Sequence, residues 1–363
     1  MSAVQSPMMD SLLRHMIELT GQRDHNLLDV AIISAVHEML EASQVRVLDI
    51  VPSEEGDMLR PRAWIRHGEV MAQDDSGQPV AGGTPMSGYP VLIDCLAQRL
   101  NRIEETRADG EHVLWVPLWQ GDKAPACLQI FSTAPFAAST LNMMEGILSV
   151  YRNYQNLLEY SERDSLTGLL NRRTFDDKFS RMVSFNRAAD EEQAQSLERR
   201  HPGDLEGQWL AVVDIDHFKR VNDQYGHLYG DEVLILVANL LRSSFRTQDR
   251  VFRFGGEEFV VLLCSVSLTD ARNAFERFRA NIEAHYFPQV GTVTVSLGFV
   301  AITDETPVVV LGHADQALYY GKSNGRNQVC FYDELVEQGL LQSGVVNADA
   351  EFFFDDANDD QMR

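Results

Sequence analysis

The sequence predicts an α+β protein of two domains joined by a long helix. Three observations carry that expectation. The chain has 363 residues, and a single domain ordinarily organises about 150. Stretches with helical periodicity alternate with short β-prone runs on both sides of one continuous helical stretch at 139–163. Residues 250–264, Arg-Val-Phe-Arg-Phe-Gly-Gly-Glu-Glu-Phe-Val-Val-Leu-Leu-Cys, set a Gly-Gly pair between two β-prone runs, which reads as strand, turn, strand.

Composition narrows the function classes. The hydrophobic fraction of 44% is that of a globular protein, and the formal net charge is −23. So negative a chain has no global positive field to attract nucleic acid or an anionic membrane. A nucleotide needs only a local cradle and a cation, so it stays compatible. Cys95, Cys127, Cys264 and Cys330 have no paired spacing and lie in apolar or strand-like contexts, as buried free thiols of a reducing compartment would. No apolar run reaches the roughly 18–20 residues that span a bilayer. Met1–Asp10 lacks the basic start and apolar core of a signal peptide, so the expected location is cytoplasmic.

Residues 8–19 and 24–41 both read as helices. In the second, Leu27, Leu28, Ala31, Ile32, Ala35 and Leu40 keep largely to one face, with Asp24 as N-cap. Strand-like runs follow at Val45–Val51, Arg62–Arg66, Val113–Trp119 and Ala126–Phe131, with a helix at Tyr89–Leu100 and a loop at 75–88. Residues 1–138 thus form a small antiparallel sheet enclosed by helices. This order of elements resembles a GAF-type sensory domain. The resemblance implies a regulatory domain that takes an unknown small-molecule or protein input, or that mediates dimerisation. His37, His67 and His112 are isolated and read as structural or exposed rather than as metal ligands.

In the helix at 139–163, Met144, Ile147, Tyr151, Tyr154 and Leu158 recur at spacings of 3, 4, 3 and 4. That is the seam of a two-helix coiled coil, or a stripe packed on the helix's own domain. Its place between two domains favours the parallel dimeric linker.

Asp164-Ser-Leu-Thr-Gly-Leu-Leu-Asn-Arg-Arg173 then mixes a turn signal, Thr167-Gly168, with charged residues ahead of a helix starting near Thr174. Residues 186–207 read as an enlarged polar loop. Leu210–Asp216, Leu-Ala-Val-Val-Asp-Ile-Asp, is an apolar strand ending in carboxylates, and alternation puts Asp214 and Asp216 on one side with Ile215 opposite. A solvated strand end accounts for Asp216; it accounts less well for Asp214, flanked by Val213 and Ile215. Beside the hairpin tip carrying Glu257 and Glu258, that strand end supplies the hard oxygen donors Mg²⁺ prefers. The alternative is a polar tip that needs only solvation.

His217–Asp231 follows the strand, where a turn offers free backbone N–H groups and Lys219 a positive charge. Asn222 and Asp231 have the donors and acceptors to read a guanine edge, although singly they are ordinary turn and cap residues. Lys322 and Arg326 lie four apart, on one face if the helix runs to Gly325. Arg246-Thr-Gln-Asp249 stands just ahead of the hairpin and reads as a surface ion pair or as a grip for a base or phosphate.

From Asp164 to Asn327 these segments together resemble the GGDEF domain, the catalytic domain of diguanylate cyclases. The resemblance implies a palm-like antiparallel sheet flanked by helices over 164–331. It implies a homodimer that condenses two GTP into cyclic di-GMP and two pyrophosphates, with Mg²⁺ or Mn²⁺ as cofactor and the product as feedback inhibitor. Asp214, the Ile215 carbonyl and Glu257 match the metal ligands, and Glu258 the catalytic acid/base, with Glu257 beside it. Phe218 and Lys219 match the phosphate turn; Asn222, His227 and Asp231 match the base and sugar contacts. The acid at Asp231 argues for GTP over ATP. Lys322 and Arg326 match β/γ-phosphate ligands, and Arg246 and Asp249 the inhibitory product site. Gly321 departs from the usual alanine, at about 1 kcal/mol of helix stability. The alternatives are a silent cyclic di-GMP receptor and a GTP-sensing interaction protein. The intact Asp214, Glu257 and Glu258 speak against a pure receptor. Beyond the domain, 332–341 reads as a helix, and Asp349–Arg363, acidic around Phe352-Phe353-Phe354, as a disordered or docking tail.

Overall fold

The structure is a computed structural model that describes residues 7–53, 56–66, 68–72, 83–193, 207–246 and 248–342. His67, most of the expected loop at 75–88 and the tail at 349–363 lie outside these residues. The chain divides into two compact units, the first ending at Ser161 and the second beginning at Glu162.

The first unit opens with helices α1 (Pro7–Gly21) and α2 (His25–Leu40). The Asp24 carboxylate caps α2, accepting from the N–H of Asn26 at 2.8 Å and of Leu27 at 3.2 Å. The strands are β1 (Gln44–Val51), β2 (Met58–Arg66), β3 (Glu69–Ala72), β4 (Thr84–Pro85), β5 (Ile103–Thr106), β6 (His112–Gln120) and β7 (Lys123–Ser132). They pair antiparallel in the order β3-β2-β1-β7-β6-β5, with β4 alongside β2. The four expected strands are present and longer at their ends. β3, β4 and β5 carried no sequence signal, because exposed edge strands hold their place by ladder bonds rather than by an apolar period. Helix α3 (Pro90–Ala97) is shorter than expected, and its Leu92 joins Leu48, Trp115 and Phe131 on one face of the sheet. The other face packs Val45, Val47, Leu128 and Ile130 under α1, α2 and helix α4 (Ala138–Glu162).

The packing of α4 corrects the coiled-coil expectation. Met144, Ile147 and Tyr151 are at most 1% exposed inside their own unit, and Tyr154 and Leu158 lean on the same cluster. A stripe facing its own domain and a seam between two helices have nearly the same period over two heptads. Polar bonds hold the helix down as well. The Tyr151 hydroxyl donates to Asp29, and Arg62 bridges Asp29 (Nε–Oδ2, 2.5 Å) and Asp49 (Nη1–Oδ1, 2.7 Å). Gln155 donates to the Tyr151 oxygen at 2.7 Å.

In the second unit, β8 (Leu170–Asn171) leads into α5 (Arg172–Gln193). The helix thus runs through the first part of the expected polar loop. Residues 186–193 have fair helix propensity but no apolar period, so periodicity could not find them. Strand β9 (Gly207–Ile215) is followed by α6 (Phe218–Tyr225), α7 (His227–Ser244), β10 (Arg250–Gly255), β11 (Glu258–Val266) and α8 (Leu268–Ala284). Next come the small ribbon β12 (Tyr286–Phe287) and β13 (Gly291–Thr292), then β14 (Val295–Ala301), α9 (Pro307–Ser323), β15 (Val329–Phe331) and α10 (Tyr332–Glu337). The main sheet runs β15-β14-β9-β11-β10-β8, antiparallel inside with a parallel strand at each edge.

Alternation along β9 assigns the faces. Ala211, Val213 and Ile215 pack with residues of α6, α7 and α8; Leu210 and Val212 pack with residues of α5, α9 and α10. Gly298 of β14 sets how closely α9 can approach. A Cβ there would lie 2.1 Å from the Ala314 carbonyl oxygen and 2.2 Å from the Leu318 nitrogen. All four cysteines are free and buried. Among the described residues, no helix is long and apolar enough to cross a membrane.

Two outcomes are expected. Gly298→Ala forces backbone apart and should cost about 3 kcal/mol in chemical denaturation, whereas Gly146→Ala, on an open face of α4, should be neutral or gain up to about 1 kcal/mol. Arg62→Met leaves Asp29, 1% exposed, without its cation, and should destabilise the first unit by about 3–5 kcal/mol in the same assay.

Candidate active site

The hairpin expected at 250–264 is present. Gly255 pairs with Glu258, leaving Gly256-Glu257 as the turn, and Gly256 takes the left-handed φ of +48° that favours glycine there. Glu258 therefore begins β11 instead of standing at the tip. It lies directly across from Asp214 on β9, and Asp214 in turn faces Ser296 on β14. From the α9 side, Lys322 brings its Nζ to 2.6 Å from Asp214 Oδ2. Asp214 is buried.

The electrostatics follow from that crowding. Burial pushes the Asp214 carboxyl above the usual range, although the Lys322 ammonium pulls it back. Burial and then the Asp214 charge raise Glu257 as well. The same two causes push Glu258 up to about 7. Asp315 on α9 belongs to the group, raised by burial and by Asp214 and lowered by Lys322. Sequence reasoning missed it, although Asp315 and Lys322 are seven apart on α9, a spacing that puts them on one face.

The donor set suits a hard divalent cation. Four carboxylates disfavour one another's ionisation, and the single ammonium among them already takes a cation's place at Asp214. An isoleucine side chain has no donor atom, so Ile215 could contribute only its backbone carbonyl. Among the described residues, no three His, Cys, Asp or Glu side chains form a cage by themselves. Mg²⁺ characteristically takes only one or two protein carboxylates and completes its shell with phosphates and water.

The hairpin tip is clamped from below. Arg253 donates from Nη2 to the Gly256 carbonyl at 2.8 Å and from Nη1 to Asp164 Oδ1 at 2.9 Å. The Thr167 hydroxyl donates to that carboxylate at 2.6 Å. The segment Asp164–Arg173 thus supports the turn that carries Glu257.

The expected nucleotide contacts lie on the α6–α7 hairpin, which turns at Gly226 (φ +87°) directly after β9. Asn222 stands against Gly230, where a Cβ would come 2.0 Å from its Oδ1. His227 and Asp231 share a face of the first turn of α7, and both are exposed, as is Lys219. The Phe218 side chain is buried in the core, so only its backbone can face a ligand. Helix α9 stops at Ser323, and Arg326 follows in a left-handed turn (φ +62°) instead of one helical turn past Lys322. Glycine at 325 breaks the helix before the i, i+4 relation can form.

Arg246 and Asp249 lie at the opposite end of β10 from the hairpin tip, roughly 20 Å along the strand. Arg246 is exposed. The Asp249 carboxylate closes its own turn, accepting from the Arg246 N–H at 2.8 Å and the Cys264 N–H at 3.3 Å.

Comparison with known proteins adds to this geometry. The family model described as diguanylate cyclase, GGDEF domain, matches residues 161–328. Diguanylate cyclase DgcP of Pseudomonas aeruginosa is 43% identical over 172 residues, 46% of this chain and 23% of that protein. Diguanylate cyclase DgcZ of Escherichia coli is 36% identical over 178 residues, 48% of this chain and 54% of that protein. Diguanylate cyclase VdcA of Vibrio cholerae is 36% identical over 255 residues, 67% of this chain and 68% of that protein. The chain therefore spans about a quarter of the first relative and about half of the second.

The raised carboxyl is costly to hold ionised. Glu258 protonates near 7 in the folded chain against an ordinary 4.5, so its ionisation removes stability as pH rises from 4.5 to 7. In divalent-free buffer Glu258→Gln should therefore raise stability by about 1–2 kcal/mol at pH 8, with the gain shrinking toward pH 5, as thermal melts at the two pH values would show.

Proposed function

The chain belongs to the GGDEF diguanylate cyclase family, and from that premise we propose that it condenses two GTP into cyclic di-GMP and two pyrophosphates. One observation carries the reading: Asp214, Glu257 and Glu258 gather at one end of the sheet with raised proton affinities, opposite the Lys322 ammonium. An interaction protein has no use for so costly an arrangement.

Each residue then has a task. Glu258, whose proton affinity burial raises, is the residue proposed to accept the proton of an attacking 3′-hydroxyl. Lys322, released from Asp214, and Arg326 hold the β- and γ-phosphates. The α6–α7 hairpin reads the base, with Asn222 and Asp231 at the guanine edge and His227 beside them; Lys219 and the Phe218 backbone adjoin the phosphates. A Mg²⁺ or Mn²⁺ ion bound by Asp214, the Ile215 carbonyl and Glu257 would offset charge developing at the reacting phosphate. Each product molecule joins two nucleotides and each chain offers one such site, so the working form is a homodimer with its sites apposed. Arg246 and Asp249 are proposed as the product's inhibitory site, since Arg246 is exposed and the Asp249 oxygens have lone pairs to spare beyond the turn. The first unit, GAF-like in its order of elements, is proposed to regulate the second.

Incubation of the full chain with GTP and Mg²⁺, followed by chromatographic separation of nucleotides, tests this. The parent should yield cyclic di-GMP and pyrophosphate, Glu258→Ala none, and Arg246→Ala should keep turning over as product accumulates. Tight binding of cyclic di-GMP without pyrophosphate release, after removal of any co-purified nucleotide, would make it a receptor instead.

A further inference from the structure

Asp216 is not the solvated strand end its sequence suggests. It is 6% exposed, and both carboxylate oxygens are occupied. Ser296 donates its hydroxyl to Oδ1 at 2.7 Å, and Thr294 donates its hydroxyl to Oδ2 at 2.7 Å. The backbone N–H of Asn327 reaches Oδ2 at 3.0 Å and shares its proton with the Ser296 oxygen at 3.1 Å. Asp214 on β9 and Asp216, one residue past its end, therefore differ in surroundings: Asp214 meets an ammonium that can leave, whereas Asp216 is committed to fixed neighbours.

Those neighbours hold a strained turn. Arg326 and Asn327 are consecutive non-glycine residues with φ of +62° and +48°, each costing of order 1 kcal/mol or more. The Arg326 N–H returns to the Gly321 carbonyl at 3.0 Å. The Asn327 side chain is gripped from α8, accepting from Arg279 Nη1 at 2.7 Å and donating to Glu283 at 2.8 Å. Such a conformation persists only where its surroundings over-determine it, and the Asp216 carboxylate is the anchor that ties it to the active-site strand.

We infer that Asp216 is a positioning residue, holding the Arg326-Asn327 turn so that the Arg326 guanidinium is pre-set for the phosphates of the nucleotide. This rests on the role proposed for Arg326. Pre-setting a flexible, exposed side chain lowers the entropy lost when it meets an anion, and it does so equally in the ground and transition states. The signature is therefore in KM and not in kcat.

A double-mutant cycle on the full chain tests it, with Asp216→Asn, Arg326→Ala and the pair. Asp216→Asn should raise KM for GTP about tenfold with kcat within about twofold, since it weakens bonds to a charged acceptor. Added to Arg326→Ala, it should raise KM no further, because the group it positions is gone. An unchanged KM, or a full tenfold added on top of Arg326→Ala, would overturn the inference. Should Asp216→Asn fail to fold, Thr294→Val removes one donor to the same carboxylate at constant shape; about a threefold rise in KM with the same non-additivity is expected, and no rise overturns the inference. The cycle read as the calorimetric dissociation constant for GTP holds whether or not the parent turns over, so loss of turnover in the parent counts against the proposed function alone.

Discussion

Asp214 is a carboxylate buried at the end of a central strand, and the second unit is arranged around the difficulty of keeping it there. Burial resists its charge, and Lys322 offsets that at 2.6 Å. The ammonium reaches it because α9 lies close on β14, and it lies close because Gly298 has no side chain. Glu258 is brought beside it by the hairpin register, and the register by a left-handed glycine. A charge that is expensive to bury, and a cation able to exchange for another, are the preconditions of a site that handles phosphates.

The first unit meets a similar difficulty with a different result. Asp29 is as deeply buried as Asp214, but Arg62 and the Tyr151 hydroxyl both bind it, and Asp49 shares the guanidinium. The Arg62 fork is planar and permanently charged, so it suits a fixed bridge joining α2, two strands and α4. The lysine at Asp214 is a point charge on a flexible stem and can be displaced. One ion pair fastens a helix to its domain, and the other rests on a cation that can move away.

Much of the site was legible because local chemistry spells it. The hairpin follows from Gly255-Gly256 between β-prone runs, and the side-by-side acids from a carboxylate opening β11 and another near the end of β9. Other parts were not. Asp315 enters the cluster only because α9 lies over the sheet, and Phe218 turns inward because β9 hands the chain to α6 on the core side. Arg326 shared the α9 face only if the helix ran on, and the αL turn that replaces it is hydrogen-bonded to Asp216, distant in sequence.

Residue types and short-range periods by themselves determined the α+β character of both units, the long helix seen as α4 and the hairpin. These depend on pattern within a few residues, where local sterics and hydrophobic alternation dominate. Only the tertiary structure decided which way α4 faces, since 3.5 and 3.6 residues per turn cannot be told apart over so short a helix. It alone separated the surroundings of Asp214, on β9, from those of Asp216, just past its end. A carboxylate's role depends on what its oxygens meet, and those partners come from α9, β14 and the turn after α9, up to 111 residues away.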